Sequence, residues 1–555
     1  MPRATTDRIA PGRCNFAPHE ATSAAASLAI EAATAVARGE RARGEELYRQ
    51  ATLTDPHLAA GWVGLGLEFL ERRDYTQGFP CILRGLAEAG RKLRKVPDDR
   101  PSHIARYMTQ VILFRPEEAV RSLRRALDLE PDPKLHRELL FLMNYLPETT
   151  PEALYAEACR WYSLHAAHLA QPPQPFRNVA DPDRRIRIGY VSPDLYEHPV
   201  MKFVPPILEY HDHSQFAVTL YSVGRKTDDR TAQLLELVEN FVPCAESGAA
   251  LEERVRADEI DILIDLAGHT MPLEYFLAFA RKPAPIQVSW LGLLSTTGLP
   301  QMDYYLGDRE MPCPGTEHCF SETLYRLPRS TACYRLTVDV PLAPSPCLER
   351  GYITFGSFNN PNKIGRDVIR VWAAVLRSVP HSRIVLKFWA MDTEALRDRY
   401  LAWFCREGIS PDRVQFEGPA STGAYLAAYG QIDIALDPFP YQGGSTTLDT
   451  LLMGVPIVAM AGRLAVQRGA SSILKSIGLG DMVTDSPEQY VKAAVFLAGI
   501  VGKIPDIRKN VRKAFETSGF RDEPGFTRDL EAAYRDMWRT WCRKQAATGP
   551  APARQ

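Results

Sequence analysis

From Arg185 onward the chain falls into two successive series of short apolar runs separated by helix-like stretches, and this alternation restricts it to a parallel α/β architecture built twice. The first series is Ile186–Ser192 (IRIGYVS), Phe216–Ser222 (FAVTLYS), Ile260–Leu266 (IDILIDL) and Pro285–Leu291 (PIQVSWL), with an apolar segment at Phe203–Tyr210 after the first run. The second is Tyr352–Ser357 (YITFGS), Ser382–Trp389 (SRIVLKFW), Val414–Glu417, Ile432–Leu436 and Pro456–Met460. Helices are predicted between them at Arg366–Ser378, Asp392–Glu407, Ser421–Gly430 and Thr446–Met453. Two units of about 160 and 175 residues point to two lobes facing each other across a cleft.

The segment before them has another texture. From Ala24 it is alanine-rich and helical, and it repeats. Gly44, Tyr48, Ala51 and Pro56 share a spacing with Ala119, Leu123, Ala126 and Pro131, 75 residues later, and Trp62, Leu65 and Gly66 between them form a W-x2-L-G opening. Small residues let antiparallel helices approach, and the proline stops the second helix of each pair. With an insertion, two periods of about 34 residues give the offset, as in tetratricopeptide-like arrays. A helix at Leu135–Tyr145 follows, then one entered through Thr150-Pro151-Glu152 and running to about Ala170. Gln171–Pro175 (QPPQP) reads as a linker. The expected division is a tail at 1–23, repeats at 24–132, connecting helices and linker at 133–180, lobes at 181–345 and 346–525, and a C-terminal helix and tail at 526–555.

Bulk properties exclude some classes. A chain of 555 residues is too long for one core. A net charge of −1 gives no general attraction to nucleic acid or a membrane surface. No run of 18 apolar residues offers a span, and Met1–Pro18 lacks the apolar stretch of a signal peptide, so a cytoplasmic location is expected. The ten cysteines show no paired CxxC spacing and read as free thiols.

Candidate chemistry gathers at strand ends, which in open parallel sheets face the ligand crevice. Ser192–Pro199 (SPDLYEHP) follows the first run and holds a lone imidazole, His198, suited to act as a base or to hold a substrate; the alternative is a surface histidine on a turn. Leu266–Thr270 (LAGHT) places His269 and Thr270 at another strand end, and Ser295–Gly298 (STTG) adds Thr296 and Thr297; these are expected to line the same cleft. Phe358–Lys363 (FNNPNK) opens the second unit with Asn360 and Lys363, whose ammonium suits an anionic ligand. Most informative is Asp437–Asp449 (DPFPYQGGSTTLD), a strand leading through glycines into a helix. Gly443 and Gly444 let backbone approach phosphate, Ser445, Thr446 and Thr447 offer hydroxyls, and the helix start favours an anion. Asp449 is placed to take a sugar hydroxyl. No GK[ST] element and no G-x-G-x-x-G accompanies it, which argues against a P-loop and a dinucleotide oxidoreductase. No acidic pair marks a metal site at a strand end, so none is expected, and no cofactor beyond a nucleotide donor.

These blocks resemble the protein O-GlcNAc transferase/SPINDLY family. The resemblance rests on RIRIGYVSPDLYEHPV, DILIDLAGHT, RKPAPIQVSWLGLLSTTGLPQMDYYLGD, FGSFNNPNKI and LDPFPYQGGSTTLDTLLMGVPIV, in order, and covers about Leu135 to Trp541. It implies a GT-B catalytic region behind tetratricopeptide repeats. It also implies an inverting, metal-independent transfer of a sugar, GlcNAc from UDP-GlcNAc, to Ser or Thr of acceptor proteins engaged by the repeats. By position His198 matches the family's active-site histidine, as base or acceptor-site group, and Lys363 the lysine that neutralises the leaving diphosphate. Ser445, Thr446 and Asp449 match the phosphate- and ribose-contacting segment. Asn360 falls where animal members have Gln, and Gly444 where they have His. Tyr425 stands where relatives usually have a His near the base, and Ala465 and Gln467 replace a His and a Ser before Arg468, which is itself expected to bind the donor. The family also includes users of GDP-fucose and relatives that put glucose on Asn; His198-Pro199 is the dipeptide of the GlcNAc-using branch. A non-catalytic repeat scaffold is the remaining alternative, against which His198, Lys363 and Thr446–Asp449 stand.

Overall fold

The computed structural model describes residues 23–170, 176–244, 247–336, 340–391, 393–503 and 506–548; the tail at 1–22 and the QPPQP linker expected above lie outside them. Eight helices come first: α1 (Ala24–Ala37), α2 (Arg41–Thr54), α3 (Ala59–Glu71), α4 (Tyr75–Lys95), α5 (Arg100–Ile112), α6 (Pro116–Leu129), α7 (Pro133–Met143) and α8 (Pro151–His165). The first six pack as three hairpins, and the 21-residue α4 supplies the insertion in the period. Close approach explains the glycines: a Cβ at Gly64 would fall 2.2 Å from the Tyr48 ring and one at Gly44 2.3 Å from Val36. Caps set the later helices, with Asp99, Asp132 and Thr150 accepting first-turn amides and a proline inside each first turn.

The first lobe is a seven-stranded parallel sheet in the order β3-β2-β1-β4-β5-β6-β7. Its strands are β1 (Ile186–Ser192), β2 (Phe216–Ser222), β3 (Asn240–Pro243), β4 (Ile262–Asp265), β5 (Ile286–Ser289), β6 (Tyr304–Gly307) and β7 (Thr323–Arg326). The second lobe is a six-stranded parallel sheet in the order β10-β9-β8-β11-β12-β13. These strands are β8 (Thr354–Ser357), β9 (Arg383–Lys387), β10 (Val414–Glu417), β11 (Ile434–Leu436), β12 (Ile457–Met460) and β13 (Val483–Thr484). Strand order reverses between β1 and β4 in one lobe and between β8 and β11 in the other. These are the switch points where open α/β sheets bind ligands. The architecture is GT-B behind an all-helical repeat region.

Two packing features were not readable beforehand. The final helix, Glu523–Thr548, returns to the first lobe and buries Phe526, Leu530, Tyr534 and Trp538 in its core. The helical array also shares a core with each lobe. Trp161 of α8 packs with Phe276 of the first lobe, while Leu70, Phe79, Ile82 and Ile112–Phe114 join the core of the second. There the Phe114 ring meets Phe388 and Trp389 at 6.2 and 5.8 Å, and Arg399 donates to the carbonyls of Leu113 and Phe114. Among the described residues no helix is long and apolar enough to cross a membrane, and every cysteine is a free thiol.

Candidate active site

β11 delivers Asp437 to the switch point of the second lobe. Its buried carboxylate accepts the Gly443 amide at 3.0 and 3.1 Å, folding the loop back on itself. A Cβ at Gly443 would stand 2.5 Å from Thr447 Oγ1 and 2.7 Å from Asp437 Oδ1, so only glycine fits. Gly444 is the N-cap of the Ser445–Leu452 helix and brings no side chain to it. A Cβ there would meet nothing within 4 Å. The helix therefore opens onto free space with its first amides uncapped by a side chain, the arrangement that attracts an anion. The buried Gln442 locks the loop, donating to Met460 O at 2.7 Å and Ser471 Oγ at 2.8 Å.

The β8 loop lies beside it. Asn359 accepts the Thr446 hydroxyl at 3.0 Å, and Asn360 caps the short Pro361–Lys363 turn by accepting the Asn362 amide at 3.0 Å. That turn presents Lys363, whose ammonium donates to the Gln442 carbonyl at 2.9 Å and stands 4.2 Å from the centroid of the Tyr441 ring. Burial pushes the Asp437 carboxyl up to about 7, against the pull of the Lys363 charge and the Gly443 amide.

From the first lobe, the loop after β1 brings His198. The ring caps the Pro199–Lys202 turn, with the Val200 amide donating to Nδ1 at 3.3 Å. With Nδ1 accepting, the proton of the neutral imidazole sits on Nε2, and that nitrogen is a donor. The turn ends at Lys202, whose ammonium donates to both oxygens of Asp449 at 2.8 Å; the Tyr334 hydroxyl reaches the same carboxylate at 2.5 Å. Asp449 lies one turn into the Ser445–Leu452 helix, so one short turn separates His198 from an anchor on that helix. Arg468 makes a second tie between the lobes, donating to Glu310 O at 2.6 Å and Glu310 Oε2 at 2.7 Å, while Lys475 reaches Glu310 at 2.8 Å.

The structure thus gathers His198, Asn360, Lys363, Gly443, Gly444, Ser445, Thr446 and Asp449 about the two switch points. Tyr425 sits nearby, half-buried, its hydroxyl 2.9 Å from that of Tyr429 and its ring 6.0 Å from Phe358. Other expectations are corrected. His269 does not face the cleft: it is 6% exposed and packed against Trp161 and Phe276 at 5.6 and 4.8 Å, because α7 and α8 cover the end of β4. Burial, then the neighbouring Arg137 charge, holds its pKa well below the usual histidine value. Thr270 closes its own turn onto Ala267 O at 2.8 Å. Thr296 and Thr297 are buried and spend their hydroxyls on Glu322, a structural tie instead of a ligand surface. Thr447 is buried against Gly443 inside the loop. Asp449 and Arg468, expected as donor groups, are both engaged between the lobes.

Sequence reasoning missed Lys202, Tyr334, Tyr441 and Asn359. Asn359 and Tyr441 lie inside the segments that carry the resemblance, Lys202 falls two residues beyond the first of them, and Tyr334 carried no local signal. Among the described residues Glu152, His318 and Cys319 bring potential metal-ligand atoms within 4.8 Å of one another. Arg463 pairs with that Glu152 at 3.0 Å, and none of the three belongs to the loops above.

The model of glycosyl transferase family 41 matches residues 157–333 and 346–530. A probable UDP-N-acetylglucosamine–peptide N-acetylglucosaminyltransferase SPINDLY from Petunia hybrida is 36% identical over 424 residues, 75% of this chain and 45% of that protein. The SPINDLY protein of Oryza sativa subsp. japonica is 36% identical over 442 residues, 78% of this chain and 47% of that one. The chain therefore spans about half the length of the curated relatives it matches. The solved structure of a mutant O-GlcNAc transferase from Thermobaculum terrenum superposes with a TM-score of 0.85 at 32% identity, covering 94% of this chain and 99% of that one.

Proposed function

The chain belongs to glycosyl transferase family 41, and on that premise we propose that it moves GlcNAc from UDP-GlcNAc to Ser or Thr hydroxyls of cytoplasmic proteins, with inversion and without a metal ion. One observation carries the reading: the Lys363 ammonium lies beside an uncapped helix start, and the His198 turn is tied to that same helix through Lys202 and Asp449. The names of the relatives supply the donor and the acceptor class.

The acceptor oxygen bonds to the anomeric carbon as the bond from that carbon to the diphosphate oxygen breaks. The electron pair leaves with UDP, and the hydroxyl proton passes to the diphosphate or to water. Lys363 and the amides from Gly444 to Thr446 meet the developing negative charge, an electrostatic role that needs no metal. His198, with its proton on Nε2, donates a hydrogen bond at the acceptor side and positions the nucleophile instead of deprotonating it. Ser445 and Thr446 contact the phosphates and Tyr425 the base, while the helical array presents the acceptor protein.

The test is transfer by the purified chain to a Ser/Thr peptide library, read by mass spectrometry with UDP-GlcNAc, UDP-glucose and GDP-fucose in parallel. A gain of one N-acetylhexosamine on Ser or Thr with UDP-GlcNAc supports the reading. A deoxyhexose from GDP-fucose, or a hexose on Asn, replaces it.

A further inference from the structure

The ring of Tyr441 is shared by two parts of the molecule. The Lys363 ammonium lies 4.2 Å from its centroid, and the ring of Tyr145, from the helical array, stacks on it at 4.8 Å with 25° between the planes. Tyr145 follows α7 directly. Its amide donates to Leu142 O at 3.0 Å, its ring meets Phe141 edge-on at 5.5 Å, and it is buried. The same α7 is fixed to the first lobe, where Arg137 donates to the carbonyls of Gly268 and Met271 and lies over the Phe276 ring at 4.6 Å. A lysine ammonium is a point charge on a flexible stem, so its place is set by what surrounds it. Here its neighbours include the Tyr441 ring and the Gln442 carbonyl, and the charge of the buried Asp437 acts on it as well. An aromatic face attracts the cation, and a stacked partner fixes that face.

We propose that Tyr145 is a positioning residue for the Lys363 ammonium, acting through the Tyr441 ring, so that the helical array sets the group that meets the leaving diphosphate. This rests on the leaving-group role given to Lys363 above. Small displacements of such a group lower the rate without removing any part of the site. The array therefore contributes to chemistry as well as to acceptor presentation.

The experiment compares the full-length chain's affinities for UDP and UMP by calorimetry, since UMP lacks the terminal phosphate that Lys363 meets. The ratio of the two dissociation constants reads the ammonium's placement and does not depend on turnover. Tyr145→Leu lowers the UDP preference by up to about fivefold, the worth of the Lys363–Tyr441 cation–π contact that it disturbs, and Tyr145→Phe, which keeps the ring, restores it. In a Lys363→Ala background the Tyr145 substitution has no further effect on the ratio. An unchanged ratio in Tyr145→Leu, or an equal loss in the Lys363→Ala background, overturns the proposal while leaving the role of Lys363 intact. A Lys363→Ala variant with the wild-type ratio overturns the role of Lys363 itself, and the proposal with it. If Tyr145→Leu does not fold, the half-buried Tyr441→Leu runs the same cycle from the loop side.

Discussion

At Lys363 the ammonium proposed to meet the leaving group is held by a carbonyl, a ring and the field of Asp437. Lys363→Ala is expected to lower kcat about 100-fold, the effect of losing ~3 kcal/mol of transition-state stabilisation. Its melting temperature should stay near wild type, and turnover close to wild type would remove Lys363 from the chemistry. At His198 the Val200 amide on Nδ1 leaves Nε2 as the donor. His198→Gln, which can still donate, should therefore retain about tenfold more transfer than His198→Ala, one charge-neutral hydrogen bond at ~1.5 kcal/mol. Equal activity of the two variants would favour a base. At this scale the sequence showed residues whose role is set by their own loop. His198, Lys363 and Gly443 follow strand ends at switch points, and position alone marks them. Asp449 and Arg468 read as ligand groups because their partners, Lys202, Tyr334 and Glu310, come from the other lobe and leave no local trace.

Among the elements, legibility followed periodicity. The helix at Arg366–Ser378 was predicted to the residue, since it carries a regular apolar face that buries Val368, Ile369, Trp372, Val375 and Leu376. The strands β3, β6, β7 and β13 were missed: none exceeds four residues, and all but β6 sit at a sheet edge, so their alternation is too short to read. His269 shows the opposite failure, since the strand-end rule held but α7 and α8 occupy that end of the sheet. The α7–α8 pair also carries a pH-sensitive cluster. His136 bridges His165 at 3.1 Å and Glu157 at 2.7 Å. Burial, then the His136 charge, lowers the His165 pKa to about 4. The hydrogen bond from His136, opposed by burial and helped by Arg124, lowers Glu157 to about 2. Below pH 6.5 the unfolded chain takes up a proton at His165 that the folded chain refuses until about pH 4, so stability falls across that window. Glu157 adds a further loss from pH 4.5 down to about 2. Melting temperature measured from pH 7 to pH 4 should fall more steeply for wild type than for His165→Gln. Parallel curves would mean that His165 titrates normally.

Over the whole molecule, the helical array and the two lobes form one packed body. The array's inner helices share cores with both lobes, while α1 and α2 pack with α3 in a separate cluster. Deleting residues 1–132 should leave the second lobe without Leu70, Phe79, Ile82 and Phe114 and yield insoluble protein. Deleting residues 1–56 removes only α1 and α2 and should reduce glycosylation of intact proteins far more than that of a short peptide. Equal losses with both acceptors would take acceptor presentation away from the array's outer end. The sequence showed the repeats and both sheets but not this union, since the surfaces that join them are ordinary apolar faces until the fold brings them together. The claim on which the rest depends is that the cleft between the lobes is a working site for a uridine nucleotide sugar. A thermal-shift panel of UDP, UDP-GlcNAc, GDP and GDP-fucose tests it directly, because a ligand at 100 times its Kd raises stability by about 2.7 kcal/mol. Tm should rise with UDP and UDP-GlcNAc, unchanged by excess chelator, and should not rise with the guanosine compounds. A response to GDP and GDP-fucose alone, or to none of the four, would contradict the claim.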